Sequence, residues 1–405
     1  MFFSLIAKGP EVCSNVSMKP YRVALLIEED REIGRSLLRG IAQYSRTHGS
    51  WTFYREVPFY ERLSYAERIQ RIKDWQADGI IMREQGRVDA PLLELGIPAI
   101  YSGHRSGPAP GIPNILGDDQ QIGSMAADYL IGKGFRYFGF CGFKNVWWSE
   151  DRGRFFAEHL RAKGFDVHVY SSPPGRKSPS WAEEPDLMAD WIKTLPWPCA
   201  IFACTDDRCR QLAEACKRAG AKVPEEVALL GVDNDELVCD FASPPLSSIM
   251  LNAEKAGYDA AAVLHRMMQG ETVGGITIPI PAPRVVTRQS TDIVAIDDPI
   301  VAHALNHIRE HFRKGITVVE IARATGVSRR VLEIHFRKSM DRSVYEEVLR
   351  LRMNHAGVLL METNLSVAQI AEALNYDEIK YFSRGFRKVI GTSPLAYRKQ
   401  HSIRD

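Results

Sequence analysis

The chain is poor in several features that mark whole protein classes. Its seven cysteines, Cys13, Cys141, Cys199, Cys204, Cys209, Cys216 and Cys239, are odd in number and form no Cys-x-x-Cys. That argues against a disulfide framework and for reduced thiols. Cys204, Cys209 and Cys216 lie close together, but no His or Cys spacing near them reads as a zinc site. No metal or cofactor is expected. No apolar run approaches the ~18 residues needed to span a bilayer. The opening MFFSLIAKGP lacks a basic segment ahead of its apolar run and an adequate secretory core. The chain therefore reads as soluble and cytoplasmic, with no membrane partner. Gly-x-Ser-x-Gly elbows, Walker loops and His-Glu-x-x-His motifs are missing too, which argues against an enzyme.

What is present is ordinary in bulk and uneven in distribution. The 405 residues suggest about two to four domains. Apolar residues make 45% and charged residues 25%, which excludes wholesale disorder. The net charge is only +2, yet the segment from Asp297 to Asp405 carries 18 basic and 13 acidic residues. The preceding part carries 34 and 37. A basic tail on a slightly acidic body points to a polyanion partner for the tail.

From Tyr21 to about Thr291, short apolar runs alternate with helical spacing. Strands are expected at Val23–Ile27, Gly79–Met82, Pro98–Ser102, Tyr137–Phe143, Asp166–Tyr170, Ala200–Asp206 and Val227–Asp233. Helices are expected at Ile33–Arg46, Gln120–Lys133, Gly153–Lys163, Leu187–Leu195 and Cys209–Ala219. This is the pattern of parallel, doubly wound sheets. Nearly 270 residues is long for one such sheet, so two α/β lobes are expected. Crossovers between them are placed at Asn114–Gln120, Ser247–Asn252 and Pro279–Pro283. Such lobes leave a cleft at the strand C-termini. Asp206 and Asp233 end two strands and would point into it. Arg152 and Trp148 follow the Tyr137–Phe143 strand, and Arg35 lies on the first helix. Carboxylates and guanidinium forks suit hydroxyl-rich ligands, and aromatics suit their apolar faces. Other readings stay open: the two aspartates as helix caps, Arg152 paired with Glu150 or Asp151, Trp148 as core, and Arg35 as a solvated helix residue.

The expected domains are residues 1–20 as a disordered extension, 21–291 as the two-lobed body, 292–298 as a linker and 299–405 as an all-helical tail. The tail contains a near-repeat: VEIARATGVSRRVLEIHFRK at Val319–Lys338 and AQIAEALNYDEIKYFSRGFRK at Ala368–Lys388. Each copy reads as helix, tight turn, helix, which is a helix-turn-helix occurring twice. In the first copy Ile321 and Ala322 pack, Gly326 turns the chain and Ser328 caps the second helix. That helix would expose Arg329, Arg330, Glu333 and Arg337, with Val331, Leu332 and Phe336 inward. In the second copy Asn375 holds the turn and Asp377 would cap. Lys380, Tyr381, Ser383, Arg384, Arg387 and Lys388 would reach outward from a helix anchored by Phe382 and Phe386. The amphipathic stretch Ser343–Met361 would span roughly 28 Å at ~1.5 Å per residue. That approaches the ~34 Å pitch of duplex DNA, so both second helices could enter successive major grooves.

The run YFSRGFRKVIGTSPLAYR at Tyr381–Arg398, with Arg352, Ala356, Leu359 and Leu360, makes residues 299–401 resemble the AraC-type DNA-binding domain. Asp341 and Asn375 stand where that family usually has glycine. The body resembles the periplasmic-binding-protein-like sensor of LacI-type repressors. The motifs are Asp78–Ile81, NILGDD at Asn114–Asp119 and GVDND at Gly231–Asp235. A LacI-like sensor ahead of an AraC-like reader resembles the family of xylose operon regulators, from about Tyr21 to His401. The resemblance implies a sugar-responsive transcription activator, with D-xylose as effector and duplex DNA as partner. It also implies ligand contacts from Arg35, Trp148, Arg152, Asp206 and Asp233. A homodimer is expected, and RNA polymerase is a further candidate partner. The residues by themselves imply only a small neutral polyol. They leave open another sugar, or a body that only dimerises.

Overall fold

The structure is a computed structural model. It describes residues 20–49, 51–55, 63–84, 89–103, 107–171, 183–293 and 298–401. The expected N-terminal extension, apart from Pro20, and residues 294–297 of the expected linker lie outside the described residues.

The first run of elements is β1 (Arg22–Leu26), α1 (Glu32–His48), β2 (Thr52–Arg55), α2 (Tyr65–Asp74), β3 (Gly79–Arg83), α3 (Asp89–Leu93), β4 (Ala99–Ser102) and β5 (Asn114–Gly117). The chain leaves this lobe through α4 (Asp119–Gly132) and builds a second. That lobe holds β6 (Tyr137–Cys141), α5 (Trp147–Ala162), β7 (Val167–Val169), α6 (Glu184–Lys193), β8 (Cys199–Ala203), α7 (Asp206–Ala219), β9 (Val227–Asp233), α8 (Glu236–Phe241) and β10 (Ser247–Met250). Then α9 (Ala253–Met268) returns to pack on α1 of the first lobe. β11 (Thr277–Ile280) joins the first sheet and β12 (Arg284–Val286) joins the second.

The two six-stranded sheets have matching orders, β11-β5-β4-β3-β1-β2 and β12-β10-β9-β8-β6-β7. All pairings are parallel except β12 with β10. Helices cover both faces, so the central strands are buried throughout instead of alternating. In β9, Val227 to Val232 are all buried. The three passages between lobes follow β5, β10 and β11, where the sequence places its crossovers. Helix α9 lies so close to α1 that a Cβ on Gly257 would sit 2.2 Å from the Leu37 carbonyl oxygen.

The tail is α10 (Pro299–His311), α11 (Val318–Ala324), α12 (Arg329–Met340), α13 (Val344–Glu362), α14 (Val367–Ala373), α15 (Ile379–Ile390) and α16 (Pro394–His401). Capping boxes at Thr317/Glu320, Ser343/Glu346 and Ser366/Gln369 start α11, α13 and α14, and Ser328 accepts from Val331 N at α12. Two apolar cores result. Leu332 and Phe336 join Ile308 and Ile321, whereas Phe382 and Phe386 join Met353 and Ile370. Helix α13 feeds both, with Val344 and Val348 in the first and Leu349 and Met353 in the second.

Two local expectations change. Asp377 does not cap α15: Glu378 occupies the cap position and makes no side-chain cap bond. The second turn is one residue longer than the first, which moves the helix start past Asp377. Val331 is not inward but 38% exposed, because only Leu332, Phe336 and Met340 of α12 fall on the packed face.

Tail and body meet at the C-terminal end of α4. Arg136 donates to the Ser339 carbonyl, and Tyr397 Oη donates to Pro283 O at 3.3 Å. Lys133 is buried there, close to Arg309 and Arg350. Burial first, and the neighbouring Arg309 next, lower its ammonium to about 7, against the opposing charge of Asp292. The unfolded chain, with lysine near ~10.4, holds more protons from pH 7 upward. Stability at this group therefore rises with pH from about 7 to about 10. Lys133→Met is expected to raise stability near neutral pH by about 1 kcal/mol and to flatten that rise. Denaturant unfolding between pH 7 and 9 measures both.

Candidate functional site

The C-terminal ends of the two sheets face each other across a cavity of about 380 Å³. Its wall draws on both lobes. Arg83 and Ser102 end strands of the first, and Trp148, Arg152, Asp206 and Asp233 come from the second. Cavities of this size suit small organic ligands.

Asp206 is 2% exposed and begins α7 just after the cap residue Thr205. Thr205, not Asp206, caps the helix, by accepting from Arg208 N at 3.2 Å. The Asp206 carboxylate instead accepts from Asp235 N at 2.8 Å and Ser248 Oγ at 2.6 Å. It occupies space that exists only because residue 231 is glycine: a Cβ there would lie 2.2 Å from Asp206 Oδ1. Asp233 closes β9 with φ +108°, and Asn234 follows at φ +52°. Non-glycine residues rarely adopt such angles, and strain of this kind concentrates at functional sites. Burial, and then the nearby charge of Asp233, hold the Asp206 carboxyl well above the usual carboxylate range. Burial raises Asp233 to about 6, with Arg152 opposing.

Arg152 is buried and does not pair with Glu150 or Asp151. Glu150 accepts from Asn145 N, and Asp151 pairs with Arg154. The guanidinium of Arg152 donates to Asp119 Oδ1 at 2.9 Å and to Cys204 O at 2.6 Å. It lies 4.9 Å from the centroid of the Trp148 ring. Trp148 is thus both nearly buried and part of the cavity wall.

Arg35 is placed differently. It is not among the residues that line the cavity. Its guanidinium is taken up by Glu32, by the Glu29 carbonyl at 2.9 Å and by Asp235 at 3.2 Å. Asp235 belongs to the other lobe, and its Oδ2 also accepts from Glu32 N at 2.9 Å. A second ion pair, Arg31–Asp207 at 3.0 Å, spans the lobes nearby. Arg35 is therefore part of a rim that ties the lobes.

Sequence reasoning missed Asp119, Asp235 and Trp147 as site residues. All three line the cavity. Trp147 Nε1 and Asp235 Oδ1 are buried without a hydrogen-bond partner among the described residues. Asp119 and Asp235 sit inside motifs already singled out, NILGDD and GVDND, and that was the available signal.

On the tail, α12 and α15 each present a basic face. Arg329, Arg330 and Arg337 are exposed on α12, and Lys380, Tyr381, Arg384, Arg387 and Lys388 on α15. Ser383 is half-buried. Glu333 is half-buried too, and its Oε2 accepts a long bond from Val344 N at 3.4 Å. That carboxylate faces the start of α13 instead of the open face.

Comparison with known proteins gives a consistent result. Residues 127–291 match the family of periplasmic binding protein-like domains, and residues 321–400 match a helix-turn-helix domain family. The xylose operon regulatory protein of Escherichia coli (strain K12) is 30% identical over 95% of this chain and 98% of its own length. The protein of that name from Haemophilus influenzae is 30% identical over 93% and 98%. The solved structure of the xylose-binding transcription activator xylR superposes with a TM-score of 0.59 at 28% identity, over 95% of this chain and 99% of that one.

Removing one member of a buried ion pair strands the other. Asp119→Ala is therefore expected to cost about 3 kcal/mol of stability by leaving Arg152 uncompensated. Denaturant unfolding would read the loss, and the double variant with Arg152→Met would recover part of it.

Proposed function

The chain belongs to the family of xylose operon regulatory proteins, and from that premise we propose that D-xylose is the effector bound in its interlobe cleft. It is a DNA-binding transcription regulator, not an enzyme. The observation that carries the proposal is the set Asp206, Asp233, Arg152 and Trp148 around one interlobe cavity, on the same chain as two helix-turn-helix units. Charged acceptors and a guanidinium donor satisfy hydroxyls in a site that removes them from water. The indole of Trp148 gives an apolar sugar face somewhere to lie. Asp119 holds Arg152 in place, and Arg35 acts at the rim as a tie between lobes.

Ligand binding can shift an equilibrium only by its different affinity for the two arrangements. A sugar touching both lobes favours the closed one, which the Arg31–Asp207 and Arg35–Asp235 pairs also favour. Helix α4 starts at the cleft with Asp119 and ends beside the tail, about 21 Å away at ~1.5 Å per residue. It is a stiff path from sugar to reader. On the DNA side, Arg329, Arg330 and Arg337 of α12, and Lys380, Tyr381, Ser383, Arg384, Arg387 and Lys388 of α15, make the contacts. Glu333 serves the start of α13. The protein acts in the cytoplasm as a homodimer and as an activator that works with RNA polymerase.

Calorimetric titration with D-xylose, L-arabinose, D-ribose and D-glucose tests the effector. Saturable binding of xylose alone supports the proposal, binding of another sugar changes the effector, and no binding returns the body to a dimerising role. Because the ionised Asp233 carboxylate is a much stronger acceptor for hydroxyls than the protonated acid, sugar affinity is expected to fall as pH drops through about 6. The loss is roughly tenfold between pH 7 and 5. Asp233→Asn binds weakly and loses this pH dependence. Arg384→Ala is expected to weaken specific DNA binding by about 1–3 kcal/mol and to leave sugar affinity unchanged.

A further inference from the structure

The two reading helices correspond at an offset of fifty residues, and an outward position in the middle of both, at which their chemistry departs, is informative. Buried Leu332 and Phe336 of α12 match buried Phe382 and Phe386 of α15. Outward Arg330, Arg337 and Lys338 match Lys380, Arg387 and Lys388. Between those cations, α15 presents Arg384, whereas α12 presents Ile334.

Ile334 is 57% exposed, and Val331, one turn earlier, is 38% exposed. The packing of the tail does not cover them. The buried face of α12 is Leu332, Phe336 and Met340, and the flank toward the body carries His335, paired with Asp298, and Ser339, bonded to Arg136. An isoleucine in the middle of a cationic face gains nothing from phosphates or from water. The major groove offers it one apolar partner, the C5 methyl of thymine. An arginine at the matching place suits the O6 and N7 acceptors of guanine.

We propose that Ile334, with Val331 beside it, is a specificity-determining residue that reads a thymine methyl at the centre of the half-site entered by α12. Arg384 reads guanine in the half-site entered by α15. One protomer thus reads its two half-sites with different chemistry, one by methyl contact and one by hydrogen bonds. The inference rests on the reading of α12 and α15 as the groove-entering helices.

The test uses the full chain and the duplexes it selects from random-sequence DNA. Each thymine in the α12 half-site is replaced singly by deoxyuridine, which removes only the methyl, and dissociation constants are measured. At one thymine, or two neighbours, the replacement is expected to weaken binding about fourfold, the worth of one buried methyl group. With Ile334→Ala the same replacement has no effect, while Arg384→Ala relaxes the guanine preference of the other half-site and keeps the methyl effect. Ile334 is exposed, so the variant's thermal unfolding should match the parent's. A uniform response to deoxyuridine in parent and Ile334→Ala overturns the inference. Arg330→Ala and Arg337→Ala separate the two levels. If they weaken binding while the methyl replacements are silent, only the role of Ile334 fails. If they leave specific affinity unchanged, α12 is not in the groove and the underlying reading fails with it.

Discussion

The buried pair between Arg152 and Asp119 is the contact on which the cleft depends. Its partners come from different elements: Asp119 from the first turn of α4 and Arg152 from the middle of α5. The same guanidinium bonds the Cys204 carbonyl beyond β8 and covers Trp148. One side chain thus gathers the start of α4, the end of β8 and an aromatic wall. A buried cation costs several kcal/mol unless it is paired and hydrogen-bonded, so these groups hold one another in a single arrangement. The carboxyl of Asp119 is itself raised by burial, against the pull of Arg152. The site is therefore polar and already assembled.

Around that centre the acidic groups take separate roles. Asp206 accepts from Asp235 N and Ser248 Oγ, one on each oxygen, which hold its carboxyl in place at the cavity wall. Asp233 lies on a strained turn, with its carboxyl raised by burial to about 6. Asp235 faces the other way, toward Arg35 and Glu32 N, and joins the lobes. Asp206 thus braces, Asp233 lines the cavity and Asp235 latches. What separates them is the backbone turn at Asp233 and Asn234.

The tail follows a different economy. Each helix-turn-helix is a small core in which two side chains of its second helix, Leu332 and Phe336 or Phe382 and Phe386, join residues of α13, and its first helix is started by a side-chain cap. Asp341 ends α12 in the left-handed region at φ +53°, as Gly391 ends α15 at φ +88°. The near-repeat therefore survives changes of residue type at its turns, and the outward positions remain free to differ. Ile334 against Arg384 is such a difference.

Much of this was legible in the residues. Unbroken apolar runs marked the buried parallel strands, and the crossovers fell where Pro-rich and polar segments interrupted them. Caps and repeats marked the tail helices. These are local patterns of period, turn and cap, and local chemistry sets them before any packing occurs. Family resemblance supplied the cleft residues, and it did not distinguish Arg35 from Arg152. That distinction needed tertiary structure. Arg35 finds Asp235 two hundred residues away, and Arg152 finds Asp119 thirty-three residues away. Val331 and Asp377 were misplaced for a related reason, since one added turn residue shifts the start of a helix and the packed face is chosen by neighbours. By itself the sequence determined two sheets, a cleft and a double helix-turn-helix, because period and capping act within a few residues. Only the tertiary structure decided which charges meet, because long-range pairing depends on how the packed lobes bring distant strand ends together.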